Sequence, residues 1–248
     1  MSSNGRLILD LNTAYEQQAK ASVLSPSSDE QLLVHTLNMH NRYAGTNDMA
    51  ACVKLANADY LVGLLTSGAV VADVTSALQA GTVQNLFSTT NNDGFLVQSK
   101  RKFNLMGFTV SQAATGSPVY TYEYYNGSAY TALTDMIETP TLTATGDKLF
   151  VFSSPRDWAL GSTAGVGGSS SYYSIKVIAT TAPSQAVRAT AVWVGKFLHF
   201  QEAVAENGNL HISYPYENPK LLNGGEGIMP YFKNASPSNL VTGLYQSI

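Results

Sequence analysis

Residues 120–133 are YTYEYYNGSAYTAL, and this stretch decides the fold that we predict for the chain. Tyr120, Tyr122 and Tyr124 share one parity, so on a strand their side chains lie on one face. Asn126-Gly127 follows with the residues of a tight turn, and Tyr130 to Leu133 can continue as a second strand. The stretch therefore predicts a β-hairpin whose conspicuous residues are large rings suited to packing, not catalytic groups.

Further short strands are predicted on both sides of the hairpin. The turn signal NNDG at 91–94 precedes strands at 95–98 and 103–110, and three more strands follow the hairpin, at 148–153, 172–179 and 187–197. Short strands at regular intervals, with turn residues between them, are typical of antiparallel sandwiches and jelly rolls. We therefore expect a mainly β protein with an antiparallel β-sandwich or jelly-roll-like domain.

The sequence also predicts that the chain consists of three parts. Residues 1–30 are predicted as an N-terminal arm with one short strand near residues 6–11, residues 31–214 as the sandwich domain, and residues 215–248 as a C-terminal extension. The extension is rich in Pro, Gly and Asn with scattered aromatic residues, which favours a segment that wraps the domain or a neighbour.

Two segments have mixed signals. Ser25-Pro26 followed by Asp29 and Glu30 is typical of a helix start, and we predict a helix that reaches about Leu37, although residues 33–39 also fit strand alternation. Residues 70–86 predict either a strand at 70–74 or a short helix capped by Asp73 and ended by Gly81.

Composition favours a protein that contacts other proteins. The chain has 248 residues, of which 44% are hydrophobic, enough for a substantial core. Only 12% are charged, against about 25% in typical proteins, and polarity comes instead from Ser, Thr, Asn, Gln and 14 Tyr. We expect a surface suited to protein contacts.

Charge and hydropathy argue against nucleic acid and membrane as partners. The net charge is -3, and the one basic cluster, Lys100-Arg101-Lys102, is short enough to be a solvated loop. No apolar stretch reaches the ~18 residues of a membrane-spanning helix. Because MSSNGR lacks the start of a secretory signal, we expect the protein to fold in a cytoplasm.

No metal, cofactor or nucleophile site emerges from the motifs. The four histidines His35, His40, His199 and His211 do not have metal-ligand spacing. Cys52 is the single cysteine, which excludes an intrachain disulfide, and its apolar neighbours predict burial. The glycine-rich segment 161–171 lacks the Lys-Ser/Thr of a phosphate-binding loop and is expected to be a loop between strands.

Two weaker signals concern sugars. Carboxylates at Glu123, Asp135, Glu138 and Asp157 could flank a glycosidic bond, but nothing places two of them at the required separation. The tyrosines could form a sugar platform, but packing across strands is the commoner role. Asn126-Gly-Ser128 and Asn234-Ala-Ser236 match the glycosylation sequon, and for the first a turn is favoured. We therefore expect no enzyme activity and no cofactor.

A longer pattern surrounds the hairpin. Between Asp93 and Val194, about two fifths of the chain, the segments DGF, FNLMGFTV, YEYYNGSAYTAL, TGDKLFVF, PRDWA and YYSIKV follow one another. This succession resembles a β module of tailed-bacteriophage virion proteins, in which such a hairpin precedes an apolar strand, Pro-x-Asp-Trp and an aromatic-x-Ile/Val-Arg/Lys-Val strand. This chain has Tyr130 where the module usually has Trp, and Lys176 where it usually has Arg, so a bidentate pairing would be lost.

The resemblance implies a non-enzymatic virion structural protein, in first place a capsid decoration (cement) protein that binds and stabilises the phage head. The alternative that it implies is a tail, baseplate or fibre component that recognises a host-surface glycan. The expected partners are the major capsid protein or other virion proteins, together with further copies of the chain in a homo-oligomer, for which a trimer is one option. The expected location is the virion, after synthesis in the host cytoplasm.

Overall fold

The computed structural model of the chain describes residues 4–10, 25–27, 29–161, 166, 171–215, 217–232 and 239–247, and its strands are mainly antiparallel. One short helix, α1 (Thr75–Gln79), and one 3-10 turn (Asn57–Asp59) occur among these residues. The strands in chain order are β1 (Asn4–Asp10), β2 (Leu32–His40), β3 (Asn47–Lys54), β4 (Tyr60–Thr66), β5 (Ala69–Asp73), β6 (Gln84–Phe87), β7 (Gly94–Ser99), β8 (Leu105–Gln112), β9 (Val119–Tyr125), β10 (Tyr130–Ala132), β11 (Met136–Glu138), β12 (Gly146–Phe152), β13 (Tyr173–Thr181), β14 (Val187–Val204), β15 (Asn209–Ser213), β16 (Lys220–Leu222), β17 (Gly227–Phe232) and β18 (Leu240–Ser247).

The chain divides into two compact units, and their limits differ from those of the predicted arm, domain and extension. The first unit combines Met1–Ala56 with Lys196–Ile248, and the second unit is Asn57–Gly195. The stretch that resembles the phage module lies inside the second unit. Residues 11–24 of the predicted arm lie outside the described residues.

In the first unit, strands from the two ends of the chain share a sheet. Its order is β1-β18-β2-β15, with β16 also paired to β2. The strand predicted near residues 6–11 is confirmed as β1, which runs antiparallel to β18, with Arg6 opposite Leu244. In the same unit β17 pairs with β3. All three strands of the predicted C-terminal extension, β16, β17 and β18, are therefore sheet members of this unit.

The predicted helix after Ser25 is wrong, because the segment forms strand β2. A local turn does form, in which Ser27 O accepts from Glu30 N at 3.2 Å, but no helix follows it. In β2 the register shifts at His35, because Thr36 and Val34 face the consecutive residues Leu244 and Tyr245. This bulge separates the buried residues Val34 and Leu37 by three positions, which imitates helical spacing.

The second unit contains two groups of strands that pack through aromatic side chains. One is the six-stranded sheet β10-β9-β13-β7-β4-β5, and the other has the order β11-β12-β8-β14, with β6 also paired to β14. Phe95 of β7 meets Phe108 of β8 edge to face, with ring centroids 5.6 Å apart. This sandwich-like arrangement confirms the predicted mainly β, antiparallel fold class.

The mixed signal at residues 70–86 reflects two elements that follow each other directly. β5 ends at Asp73, and Asp73 Oδ1 accepts a hydrogen bond from Thr75 N at 2.9 Å, where α1 begins. Gly81, with φ of +78°, follows the helix. Both alternatives are therefore present: the strand lies one residue earlier than predicted, and the short helix follows it directly.

Two glycines of the second unit permit close approach between strands. A Cβ at Gly94 would lie 1.9 Å from the Val177 carbonyl oxygen, and a Cβ at Gly107 would lie 2.0 Å from the Trp193 ring. Gly107 and Trp193 face each other in the β8–β14 register. The indole therefore lies across the space that any side chain at position 107 would occupy.

No helix in the described part of the chain is long and apolar enough to cross a membrane.

Gly107→Ala should lower the free energy of unfolding by about 1–3 kcal/mol, because the added methyl group overpacks the contact with the Trp193 ring. Urea titration followed by circular dichroism measures this change. In the Trp193→Leu background the ring is gone, and the same alanine substitution should cost much less. Equal costs in the two backgrounds would show that the contact does not limit position 107.

Candidate functional site

The tyrosine hairpin formed by β9 and β10 turns its main row of rings inward. Tyr122 and Tyr124 are only 6% and 8% exposed. The Tyr122 ring stacks on Phe150 of β12, with centroids 4.2 Å apart and an interplanar angle of 10°. The Tyr120 ring packs on Phe87, with centroids 4.6 Å apart. Because a sugar platform needs open ring faces, this row acts in packing.

The opposite face of the hairpin carries a charged and aromatic cluster. Lys176 of β13 lies opposite Glu123 of β9 in the sheet register, and their Nζ and Oε2 atoms are 2.5 Å apart. The same ammonium lies 4.6 Å from the centre of the Tyr130 ring. Both side chains of the ion pair are mostly buried, which strengthens their attraction.

This cluster joins the two positions at which the chain departs from the phage-module pattern. Tyr130 stands in place of Trp and Lys176 in place of Arg, and the structure brings them into cation–π contact. Tyr130 also donates a hydrogen bond from its hydroxyl to Ser174 Oγ at 3.2 Å. The sequence did not reveal this contact, because it depends on the non-local pairing of β13 with β9.

The Pro155-Arg-Asp-Trp158 segment lies in the loop after β12 and packs against the hairpin and β13. Trp158 is 3% exposed and donates its Nε1–H to Ser174 O at 3.2 Å. Its ring makes edge contacts with Phe103 and Tyr173, with centroids 5.1 and 5.6 Å apart. Tyr124 donates its hydroxyl to Asp157 Oδ1 at 2.9 Å. Trp158 and Asp157 therefore hold the loop to the hairpin and to β13.

Two of the candidate glycosidase carboxylates, Glu123 and Asp157, are engaged on opposite faces of β9. Glu123 pairs with Lys176 on one face of β9, whereas Asp157 binds the hydroxyl of Tyr124, whose side chain leaves the strand on the other face. Asp135 borders a small pocket of about 150 Å³ that Tyr124, Ser153 and Pro155 also line. The side chain of Glu138 lies outside the described residues. Glu123 and Asp157 are therefore not in position to flank one bond.

The histidines and Cys52 form no metal cluster. Among the described residues, no group of three or more His, Cys, Asp or Glu side chains is suited to a metal ion. His40 and His211 do share one face of the first unit's sheet, because His40 faces Asn209 and His211 faces Asn38. His35 is buried and His199 is exposed. The predicted burial of Cys52 is confirmed at 0% exposure, and it raises the pKa of the thiol.

Two of the three basic side chains at residues 100–102 make contacts within the second unit. Arg101 Nη2 lies 2.6 Å from Asp59 Oδ2. Lys102 Nζ lies 5.4 Å from the centre of the Tyr173 ring. Lys100 is exposed. Only the Lys100 ammonium, of the three, has no ion pair or ring contact with the residues that the structure describes.

Two of the remaining sequence signals fall partly or wholly outside the described residues. In the glycine-rich segment 161–171, Val166 is 3% exposed and donates its N–H to Gln98 Oε1 at 2.8 Å. The segment therefore has at least one anchor on β7. The second sequon, Asn234-Ala-Ser236, lies outside the described residues, and the first forms the turn of the hairpin.

No family model matches this chain, and no curated protein sequence matches it either.

Lys176→Met should lower the free energy of unfolding by about 1–2 kcal/mol, because it leaves the mostly buried Glu123 carboxylate without its partner. Lys176→Arg keeps both the charge and the ring contact and should change stability by less than about 0.5 kcal/mol. Chemical denaturation measures both values. Lys100→Met is the matched control, since Lys100 is exposed; if it costs as much as Lys176→Met, the cluster has no special role.

The buried tyrosines predict a loss of stability at alkaline pH. Burial raises the pKa of Tyr60 and of Tyr120 to about 12. The unfolded chain loses these protons near its ordinary tyrosine pKa of about 10, while the folded chain keeps them. The contribution of these tyrosines to the free energy of unfolding should therefore be fully present below about pH 10. It should be lost as the pH rises toward about 12.

Tyr120→Phe should make this decline less steep, and urea titrations between neutral and alkaline pH measure the difference. At neutral pH the variant should be at least as stable as the wild type, because the Tyr120 hydroxyl is buried without a hydrogen-bond partner among the described residues. An unchanged alkaline decline in this variant would contradict the assignment to Tyr120.

Proposed function

We propose that this chain is a non-enzymatic virion structural protein of a tailed bacteriophage, and that it decorates and stabilises the phage head. The observation that carries the proposal is the packing of the module residues. The hairpin, the Pro155–Trp158 loop and strand β13 contact each other through Tyr124–Asp157, Trp158–Ser174 and Lys176–Tyr130. The residues that give the resemblance thus contact one another and stabilise one scaffold.

The surface supports contact with other proteins. Charged residues are 12% of the chain, so much of its polar surface is uncharged. Desolvating neutral polar groups costs less free energy than desolvating charges. Edge strand β11 also exposes apolar side chains, with Met136 44% and Ile137 56% accessible. A neighbouring virion protein, such as the major capsid protein or another copy of the chain, would cover such groups.

The contacts of the candidate catalytic and sugar-binding side chains support a structural role as well. Glu123 is paired with Lys176, Asp157 accepts from Tyr124 on the other face of β9, and the Tyr122 ring is stacked on Phe150. The alternative is a tail, baseplate or fibre component that binds host-surface glycan. On the hairpin it would use Tyr125 and Tyr130, which remain partly exposed, and not Tyr122; the segment 161–171 is its other candidate contact.

The copy number in purified particles separates the two locations. Quantitative peptide counting against the major capsid protein should give on the order of hundreds of copies for a head decoration protein, as head symmetry requires. A count of a few to some tens would contradict the head assignment and favour the tail, baseplate or fibre. Absence from the particle would contradict the virion proposal as a whole.

A further inference from the structure

The turn of the tyrosine hairpin contains an Asn-Gly pair, a sequence that can deamidate without an enzyme. Four Asn-Gly pairs occur in the chain, at residues 4–5, 126–127, 207–208 and 223–224. An asparagine before glycine can lose its side-chain amide when the glycine nitrogen attacks Cγ, since glycine has no Cβ to obstruct the approach. Among the three of these asparagines whose side chains the structure describes, Asn126, Asn207 and Asn223, we propose that Asn126 is the preferred deamidation site of the folded chain, because the turn stabilises the charge that this attack creates.

Three donors surround the oxygen on which that charge develops. Asn126 Oδ1 accepts from Ser128 N at 3.0 Å, from Ser128 Oγ at 2.9 Å and from Ala129 N at 2.9 Å. Attack at Cγ turns this carbonyl oxygen into an oxyanion. Hydrogen bonds to a charged acceptor are stronger than those to a neutral one, so these donors lower the barrier by the amount that their bonds strengthen as the oxyanion forms.

The surroundings of the attacking and leaving nitrogens differ: in the part of the chain that the structure describes, the first makes no hydrogen bond, and the second donates one. Within the described residues the Gly127 N–H makes no hydrogen bond, so nothing restrains this nitrogen. Gly127 has φ of +100°, a conformation that favours glycine. Asn126 Nδ2 donates to Thr131 Oγ1 at 3.1 Å, which holds the leaving group away from the donors to Oδ1.

The reaction needs water as its only co-reactant. The Gly127 nitrogen gives its proton to solvent and forms a bond to Asn126 Cγ, and Nδ2 leaves as ammonia after taking a proton from water. Water then opens the five-membered imide at one of its two carbonyls, giving aspartate or isoaspartate. Nothing is oxidised or reduced. The product adds a negative charge at the tip of the β9–β10 hairpin, whose strand β9 also carries Glu123.

The other described Asn-Gly pairs serve as internal references. Gly208 N donates to Ala205 O at 2.9 Å, so the nitrogen that must attack Asn207 is restrained. Asn223 Oδ1 accepts one hydrogen bond from a side chain, that of Gln31 at 3.1 Å, in place of the three at Asn126. The structure therefore predicts the order Asn126, then Asn223, then Asn207.

The test is a peptide map of the full-length protein, incubated at mildly alkaline pH with and without denaturant and followed over time by mass spectrometry. In the folded protein Asn126 should convert about tenfold faster than Asn207, the factor that about 1.4 kcal/mol supplies. In denaturant the two sites should convert at similar rates. Equal rates in the folded protein, or faster conversion at Asn207, would overturn the proposal.

Two variants test the oxyanion contacts directly. Ser128→Ala removes only the hydroxyl donor and should slow conversion of Asn126 by about two- to tenfold, the range of one net hydrogen bond. Conversion of Asn207 in the same sample is the control for folding and conditions. Thr131→Val should leave Oδ1 with its three donors and change the rate less than Ser128→Ala does. An unchanged rate in Ser128→Ala would show that the turn does not promote the reaction.

Discussion

The packing of aromatic rings in the second unit is the interaction on which the rest of its structure depends. Tyr122 stacks on Phe150, and Phe150 lies against Phe152, whose ring in turn contacts Trp158. These rings join β9 of the six-stranded sheet to β12 and to the loop that follows it. Aromatic pairs of this kind contribute about 0.5–1.5 kcal/mol each beyond the area that they bury. Without them the hairpin would lose the surface that determines which of its faces is inward.

Once the inward face is determined, the outward face follows from strand alternation. Glu123 must point away from the core because Tyr122 and Tyr124 point into it, and the register then places Lys176 directly opposite. The Tyr130 ring covers the ammonium from β10. A scaffold with this arrangement has its most recognisable side chains engaged in internal contacts. This arrangement is consistent with the structural role that we propose, in which other parts of the surface would contact partners.

Local patterns explain which parts of the fold the sequence predicted. The hairpin was predicted because parity and the Asn126-Gly127 turn are properties of neighbouring residues. The helix after Ser25 was mispredicted because its start signal forms only a local turn, and because Leu33 and Leu37, one helical turn apart, also fit a strand. Hydrogen bonds to β15 and β18 on either side of β2 then outweigh the local turn signal. The pairing of β1 with β18 had no local signal, because it joins opposite ends of the chain.

The contacts around Lys176 could be predicted only in part. The sequence identified Tyr130 and Lys176 as departures from a pattern, but their contact requires β13 to lie beside β9, which residue spacing cannot reveal. The same holds for Ser174, which accepts hydrogen bonds from both Trp158 and Tyr130. Short-range sequence patterns thus predicted several strands of this unit but not β6 or β11, and non-local pairing determined the cluster.

The free energy of unfolding of Tyr122→Ala, compared with that of Tyr125→Ala, tests most directly whether the tyrosine row is a packing element. Loss of the buried ring stacked on Phe150 should cost about 3–5 kcal/mol, whereas the partly exposed Tyr125 should cost clearly less. The contrary result would be a Tyr122→Ala protein with wild-type stability. That outcome would mean that the ring does not hold the sheets together and that the row has another purpose.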